Sequence, residues 1–200
     1  MTAGSALRSS AVRAALAVAL ATVSSLASAQ PDPSLVPKLR EGGYVLYFRH
    51  ASTDFSQNDR SMKSYEDCAS QRNLTDKGRE EARRIGAQVK RLGIPIGEVY
   101  ASPFCRTIET ARLAFGRATA TQDVRGGPVD PKRYEPLKRI FSTPVPKGAN
   151  TVVSSHGNPF HAVAGPPYLA EGEMAVVLPE GDSRFRVIAR VRVEEWEALQ

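Results

Sequence analysis

Cysteine, histidine and aromatic residues are all scarce in this chain of 200 residues. It has two cysteines, three histidines and 7% aromatic residues. So few cysteines and histidines exclude a zinc-ribbon framework and a disulfide-dense mini-protein. No group of His, Cys, Asp and Glu in the sequence has the spacing of a metal site. The balance of 42% apolar and 24% charged residues excludes a disordered or collagen-like chain. The length is typical of a single domain.

The sequence also has no apolar run that makes a good membrane span. The run over residues 14–26 is short and rich in alanine. It follows two arginines and leads into Ala-Ser-Ala at residues 27–29, the layout of a signal peptide with its cleavage site. The alternative is an uncleaved anchor. We predict a signal peptide over residues 1–29 and a single mature domain over residues 30–200, periplasmic or secreted and without membrane insertion after cleavage.

The excess of positive charge is small. The 27 basic and 21 acidic residues give a net charge of +6, and removal of the two arginines of the signal peptide would leave +4. This charge fits an anionic small substrate or an anionic surface. It is too weak and too scattered to argue for nucleic-acid binding.

Strand and helix patterns alternate along the mature chain. Apolar runs predict strands at residues 44–48, 98–101, 151–154, 174–178 and 185–193. A helical pattern follows Thr75, which we predict as its N-cap. Another follows Ser102-Pro103, with the serine as N-cap and the proline as the first helical position. Shorter helices are predicted near residues 34–41 and 134–141. The pattern predicts an α/β three-layer sandwich with a mostly parallel sheet and an antiparallel edge.

Polar residues directly follow three of these strands. Residues 49–50 follow the first, residues 102–106 the second and residues 155–157 the third. Ligands of open α/β sheets bind at the carboxyl ends of strands, so we expect these side chains to converge: Arg49, His50, Arg106 and His156. Two guanidiniums and two imidazoles suit phosphate oxygens. Each motif alone also has an ordinary structural explanation as a strand end, a turn or a cap.

Four segments occur in the order of a known set of motifs: residues 49–53, 73–79, 102–111 and 155–157. The first resembles an Arg-His-Gly-x-Thr signature and the second an x-Leu-Thr-x-x-Gly segment. The third resembles a Ser-x-x-x-Arg-x-x-x-Thr-Ala motif and the fourth a second histidine motif. On these motifs the mature chain resembles the histidine phosphatase superfamily, also called the phosphoglycerate-mutase-like family. It departs from the first signature at Ala51, where the family has glycine.

The resemblance implies a metal-independent phosphomonoesterase without a cofactor, acting on a small phosphorylated substrate. His50 would be the nucleophile and form a phosphohistidine. Phosphate would be held by Arg49, Arg106 and His156, with Thr53 as a further binding residue. The neighbouring arginines would help to keep His50 neutral. The substrate class that we consider is a phosphorylated glycan or lipopolysaccharide core sugar, because the chain has no room for a large cap domain.

The general acid is the weakest part of this resemblance. Many members place a glutamate after the Ser-x-x-x-Arg motif, and others an aspartate just after the second histidine. Here Gly157-Asn158 follows that histidine, so the second option is missing. The candidates are Asp54, Glu135 and Glu173, each of which has a surface acid as its alternative interpretation. A non-catalytic phosphate-binding module with the same pocket therefore remains the rival function.

The two cysteines, Cys68 and Cys105, are candidates for one disulfide, because an exported protein folds in an oxidising compartment. Cys105 directly precedes Arg106, and Cys68 lies in the loop after the His50 signature. Both are expected near the mouth of the pocket. The bond would attach the irregular loop 52–73 to the helix that presents Arg106. The alternative is a pair of buried free thiols.

Overall fold

The computed structural model describes Met1 and residues 32–200, so the predicted signal peptide and its cleavage point lie outside the described residues. The helices are α1 (Leu35–Glu41), α2 (Asp76–Arg91), α3 (Cys105–Phe115), α4 (Glu135–Ser142) and α5 (Gly157–Ala164). The strands are β1 (Val45–Arg49), β2 (Ile96–Ala101), β3 (Thr119–Ala120), β4 (Asn150–Ser155), β5 (Met174–Gly181) and β6 (Arg184–Val191). The short strand β3 has no counterpart among the predicted elements.

One mixed sheet, in the order β3-β2-β4-β1-β5-β6, forms the middle of the domain. Strands β1, β2, β3 and β4 are parallel to their neighbours within this group. Strand β5 runs antiparallel to β1, and β6 runs antiparallel to β5. The predicted mostly parallel sheet with an antiparallel edge is therefore confirmed. The three strands that precede the polar motifs, β2, β4 and β1, are direct neighbours.

The first four residues of β1, 45–48, are apolar or aromatic because both faces of the strand are covered there. Leu46 and Phe48 belong to the core cluster that includes α1, α2 and α3. Val45 and Tyr47 belong to the opposite cluster, with α4 and α5. Successive side chains of a strand point to opposite faces, so this alternation produces three layers.

The start of α2 is held against the loop that follows β1. Thr75 caps the helix, and its hydroxyl accepts a hydrogen bond from the Gly78 amide at 3.0 Å. The Thr75 amide in turn donates to the Ser52 carbonyl at 3.0 Å. A Cβ on Gly78 would collide with the backbone of Ser52. The glycine of the x-Leu-Thr-x-x-Gly segment thus allows the close approach of the two backbones.

The predicted start of the second long helix is wrong. Helix α3 begins at Cys105 with Phe104 as its N-cap, so Ser102 and Pro103 precede the helix. The hydroxyl of Ser102 does not cap because it bonds to Nε2 of His156 at 2.8 Å. Thr107 donates its hydroxyl proton toward the Ser102 and Phe104 carbonyls instead. The Ser-Pro pair thus belongs to the turn that carries the site.

Candidate active site

His50 lies at the carboxyl end of β1 and is 1% exposed. Its amide donates to the Ser155 carbonyl at 3.0 Å, which extends the β1–β4 pairing. Its Nδ1 is 3.0 Å from the Ala51 carbonyl oxygen. Because a carbonyl only accepts, Nδ1 carries the proton and Nε2 keeps its lone pair. The methyl of Ala51 fits within the core, where this residue is fully buried.

The environment of His50 keeps the ring neutral. Burial lowers the pKa of His50 well below 6.5, and the positive charges of Arg106, Arg49 and Arg72 lower it further. A neutral imidazole with Nε2 unprotonated is the form that can act as a nucleophile.

His156, the N-cap of α5, faces His50 across the site. Their ring centroids are 5.4 Å apart. Burial lowers the pKa of His156 well below 6.5, with further contributions from His50 and the arginines. The hydroxyl of Tyr47 donates to the His156 carbonyl at 2.7 Å. A Cβ on Gly126 would lie 2.8 Å from Cδ2 of His156, so the backbone at this glycine packs on the ring.

Three arginines, Arg49, Arg72 and Arg106, line the same pocket as the two histidines. The pocket has a volume of about 320 Å³, which lies at the lower end of the range for small-molecule sites. Within residues 32–200, the buried Nε atoms of Arg49 and Arg106 have no hydrogen-bond partner. Burial lowers the pKa of the Arg106 guanidinium, and its pairing with Asp59 opposes that shift. The arrangement can bind a phosphoryl group through several N–H donors.

The carboxylate of Glu171 connects the arginines behind the pocket. It accepts from Arg49 Nη2 at 3.3 Å and from Arg72 Nη1 at 3.1 Å. It also accepts from the amide of Thr53 at 3.0 Å and from its hydroxyl at 2.7 Å. Oε1 lies 3.9 Å from Nδ1 of His50. Thr53 therefore contacts Glu171 and Arg72, and it is not among the residues that line the pocket.

None of the three predicted acids lines the pocket. Asp54 accepts hydrogen bonds from the amide and hydroxyl of Ser56, which also lower its pKa. Glu135 is an exposed residue of the first turn of α4. Glu173 is buried in an ion pair with Arg190 at 2.7 Å. The structure therefore does not place Asp54, Glu135 or Glu173 where a leaving group would lie.

Sequence reasoning missed four residues at the site: Asp59, Arg72, Tyr168 and Glu171. Asp59, Arg72 and Tyr168 line the pocket, and Glu171 supports it. Asp59 accepts from Arg106 Nη1 at 3.0 Å. All four come from irregular segments, where no periodic pattern of apolar residues indicates which way a side chain points. The only sequence signal was the position of Arg72 directly before the x-Leu-Thr-x-x-Gly segment.

The predicted disulfide is present in the structure. Cys68 and Cys105 are bonded, with Cα atoms 5.7 Å apart. Beside the bond, the buried Gln71 side chain accepts from the Cys105 amide at 3.0 Å. The loop after β1 is thus attached both covalently and by hydrogen bonds to the start of α3.

Within residues 32–200, no helix is both long and apolar enough to span a bilayer. The same residues contain no group of three or more His, Cys, Asp and Glu side chains placed to share a metal ion.

Comparisons with known proteins agree with this architecture. The family model of the histidine phosphatase superfamily (branch 1) matches residues 45–125. The structure of the protein histidine phosphatase SixA complexed with tungstate is 18% identical, with a TM-score of 0.54 over 75% of this chain and 97% of that chain. The putative phosphohistidine phosphatase SixA from Agrobacterium tumefaciens is 16% identical, with a TM-score of 0.53 over 74% of this chain and 97% of that chain. No curated protein matches significantly.

At these identities, the solved structures establish the fold. The family match covers β1 to the segment after β3, and it includes His50 and Arg106. Fold and motifs together define an α/β phosphatase. Residues 45–125 match the histidine phosphatase superfamily, and the solved structures that share the fold include phosphatases of this kind.

Proposed function

We propose that the protein is a metal-independent phosphomonoesterase that forms a phosphohistidine on His50. The observation that carries the proposal is the state of this ring. Its Nδ1 proton is engaged by the Ala51 carbonyl, and burial and three arginines disfavour a second proton. Nε2 is thereby left as a nucleophile beside a set of phosphate-binding donors.

In the proposed reaction, Arg49, Arg106 and His156 hold the phosphoryl oxygens while Nε2 of His50 attacks phosphorus in line. The arginines offset the charge that develops on these oxygens. The ring gains positive charge as the P–N bond forms, and Glu171, 3.9 Å from Nδ1, stabilises it. Water then attacks the phosphohistidine and releases phosphate.

We further propose that the substrate carries its phosphate on a group much larger than the pocket, as in a phosphorylated glycan or a lipopolysaccharide core sugar. A volume of about 320 Å³ accommodates the phosphoryl group and the part of the substrate next to it, but not a larger glycan. Tyr168, at the pocket, is 44% exposed, and Phe55, over the Arg72 guanidinium, is 75% exposed. Aromatic faces of this kind can pack on the apolar face of a sugar ring. Disulfides are typical of exported proteins, so the Cys68–Cys105 bond supports a periplasmic or secreted location.

The test is brief incubation of the mature protein with a ³²P-labelled phosphomonoester. We expect an acid-labile, base-stable phosphoenzyme that is absent in His50→Ala. His161→Ala is the matched control, since His161 is a half-buried histidine of α5 outside the pocket. Wild-type turnover by His50→Ala would contradict the proposal. Protection of the fold by phosphate without any turnover of p-nitrophenyl phosphate would favour the rival binding module.

The substrate class is tested separately with a panel of phosphorylated compounds. The panel contains sugar phosphates, nucleotides, phosphoamino acids and a phosphohistidine peptide, because the solved relatives include proteins described as phosphohistidine phosphatases. We expect kcat/KM to be highest for the sugar phosphates. A preference for the phosphohistidine peptide would contradict the glycan proposal and leave the phosphohistidine mechanism intact.

A further inference from the structure

Cleavage of an unactivated phosphomonoester leaves an alkoxide that needs a proton. Two carboxylates lie near His50, and they differ in what they are free to do. Glu171 already accepts four hydrogen bonds, from Arg49, Arg72 and the amide and hydroxyl of Thr53. Three of these bonds reach Oε1 and one reaches Oε2, so both oxygens are engaged, and Glu171 does not line the pocket. Glu171 is therefore suited to support the arginines and not to donate a proton.

Asp59 is the carboxylate that lines the pocket, together with His50, His156 and Arg106. Its Oδ1 accepts from Arg106 Nη1 at 3.0 Å and from the Arg72 amide at 2.9 Å. Within residues 32–200, no hydrogen bond involves Oδ2. The side chain is 30% exposed, whereas that of Arg106 is 5% exposed. Asp59 therefore has one oxygen that fixes its position and one that can exchange a proton.

Resting on the proposed function, we propose that Asp59 is the general acid that protonates the leaving group. Phosphate oxygens that bind Arg106 compete with Asp59 for the same guanidinium. The carboxylate then lies beside a phosphoryl anion, and a proton shared between the two anions relieves their repulsion.

The proton balance of the step is closed. The substrate enters as a monoanion and gives its proton to Oδ2 of Asp59. Nε2 of His50 forms the P–N bond as the bond between phosphorus and the leaving oxygen breaks. The proton of Asp59 moves to that oxygen and an alcohol departs. In the second half, Asp59 takes a proton from the water that attacks phosphorus, and the P–N bond breaks. The proton then passes from Asp59 to the departing phosphate, which leaves as the monoanion, so that Asp59 is again a carboxylate and Nε2 of His50 is free.

The experiment compares Asp59→Asn with wild type on two substrates of different leaving-group quality. kcat/KM reports the first irreversible step, in which the leaving group departs. For phenyl phosphate we expect a loss on the order of 10²- to 10⁴-fold. For p-nitrophenyl phosphate, whose leaving group needs no proton, we expect a loss of less than about tenfold. Asparagine keeps an oxygen at Oδ1, so both hydrogen bonds that fix the loop can remain.

The matched control is Asp54→Asn, in the same loop but hydrogen-bonded to Ser56 and outside the pocket. It should leave both values unchanged. The wild-type enzyme supplies a second measurement, which does not depend on the folding of any variant. If Asp59 protonates the leaving group, kcat/KM across a series of aryl phosphates should depend only weakly on leaving-group acidity.

A steep dependence in wild type, or an equal loss on both substrates in Asp59→Asn, would overturn the assignment of Asp59 and leave the phosphohistidine mechanism standing. A wild-type protein that hydrolyses no phosphomonoester would overturn the proposed function and this assignment with it.

Discussion

The site is built from two groups of residues that are held in different ways. The strand-end set consists of Arg49, His50, Arg106 and His156. The loop set consists of Asp59, Arg72, Tyr168 and Glu171. Arg49 ends β1, and His50 and His156 directly follow β1 and β4. Arg106 lies in the first turn of α3, shortly after β2. Because these three strands are adjacent in the sheet, backbone pairing brings the four residues to one edge. In the second set, ion pairs hold Asp59, Arg72 and Glu171, and the disulfide attaches the loop that carries Asp59 and Arg72 to α3.

This difference suggests a division of labour between chemistry and recognition. The backbone of His50 is fixed by its bond to the Ser155 carbonyl, next to paired strands. The position of Asp59 depends instead on two hydrogen bonds across a loop. We expect the rigid set to carry phosphate binding and attack, and the loop set to tune the leaving group and the rest of the substrate.

The largest effect that separates the two sets should come from their arginines. Arg106→Gln removes a nearly buried donor at the start of α3, and we expect a loss of about 2–4 kcal/mol in transition-state stabilisation, measured through kcat/KM. Arg72→Gln removes a loop arginine that already bonds Glu171. We expect about 1.5 kcal/mol, roughly tenfold, for that variant. An Arg72→Gln enzyme as impaired as Arg106→Gln would contradict the division between the sets.

The same division explains how much of the molecule could be predicted from the sequence. Arg49 and His50 stand at the end of a strand that an apolar run of this kind predicts, and parallel neighbours bring such ends together. The fold class and the strand-end set were therefore accessible. The start of α3 was not, because Ser102 has a typical capping sequence but bonds to His156 across 54 residues.

The residues of the loop set could not be predicted from the sequence for a related reason. The Thr53–Glu171 hydrogen bonds join residues 118 positions apart, and the Arg72–Glu171 pair joins residues 99 positions apart. Nothing in local composition indicates such pairs. The acid candidates Asp54, Glu135 and Glu173 follow from their positions along the sequence relative to motifs and strands. Such positions do not determine where a side chain lies in the folded chain.

Removal of the disulfide tests whether the loop set can be made more mobile without disturbing the strand-end set. Cys68→Ser/Cys105→Ser should lower the free energy of unfolding by about 2–4 kcal/mol, because a closed loop with a sequence separation of 37 no longer constrains the unfolded chain. KM should rise, while binding of tungstate to the strand-end set persists. Urea unfolding and steady-state kinetics measure both. Stability equal to that of the oxidised wild type would argue that the bond constrains nothing.

Acid should lower the free energy of unfolding through the two buried imidazoles of the strand-end set. The pKa values of His50 and His156 are lowered in the folded state, so the unfolded chain binds more protons once the pH falls below about 6.5. Stability is then lost as the pH falls through 6.5, at up to about 1.4 kcal/mol per pH unit for each ring. Above about pH 7.5 both states are neutral and the contribution is flat.

Urea unfolding between pH 7.5 and pH 5.5 measures this slope, in a range where carboxylates generally stay charged. His50→Asn should remove roughly half of it, since one of the two rings is gone. A variant slope equal to that of wild type would show that the imidazoles are not its source.

The smallest effect should come from removal of divalent metals. If a metal were needed, it would draw on the carboxylates of the loop set, Asp59 and Glu171, beside the two imidazoles, and the loop set would then share in the chemistry. Both carboxylates are instead engaged by arginines, at 3.0 Å for Asp59–Arg106 and 3.1 Å for Glu171–Arg72. The guanidiniums around the pocket repel a second cation. We therefore expect EDTA to leave kcat and KM unchanged, and vanadate to inhibit by occupying the phosphoryl position. Activity that disappears with EDTA and returns with a divalent ion would show that the loop set, and not the strand-end set alone, carries the chemistry.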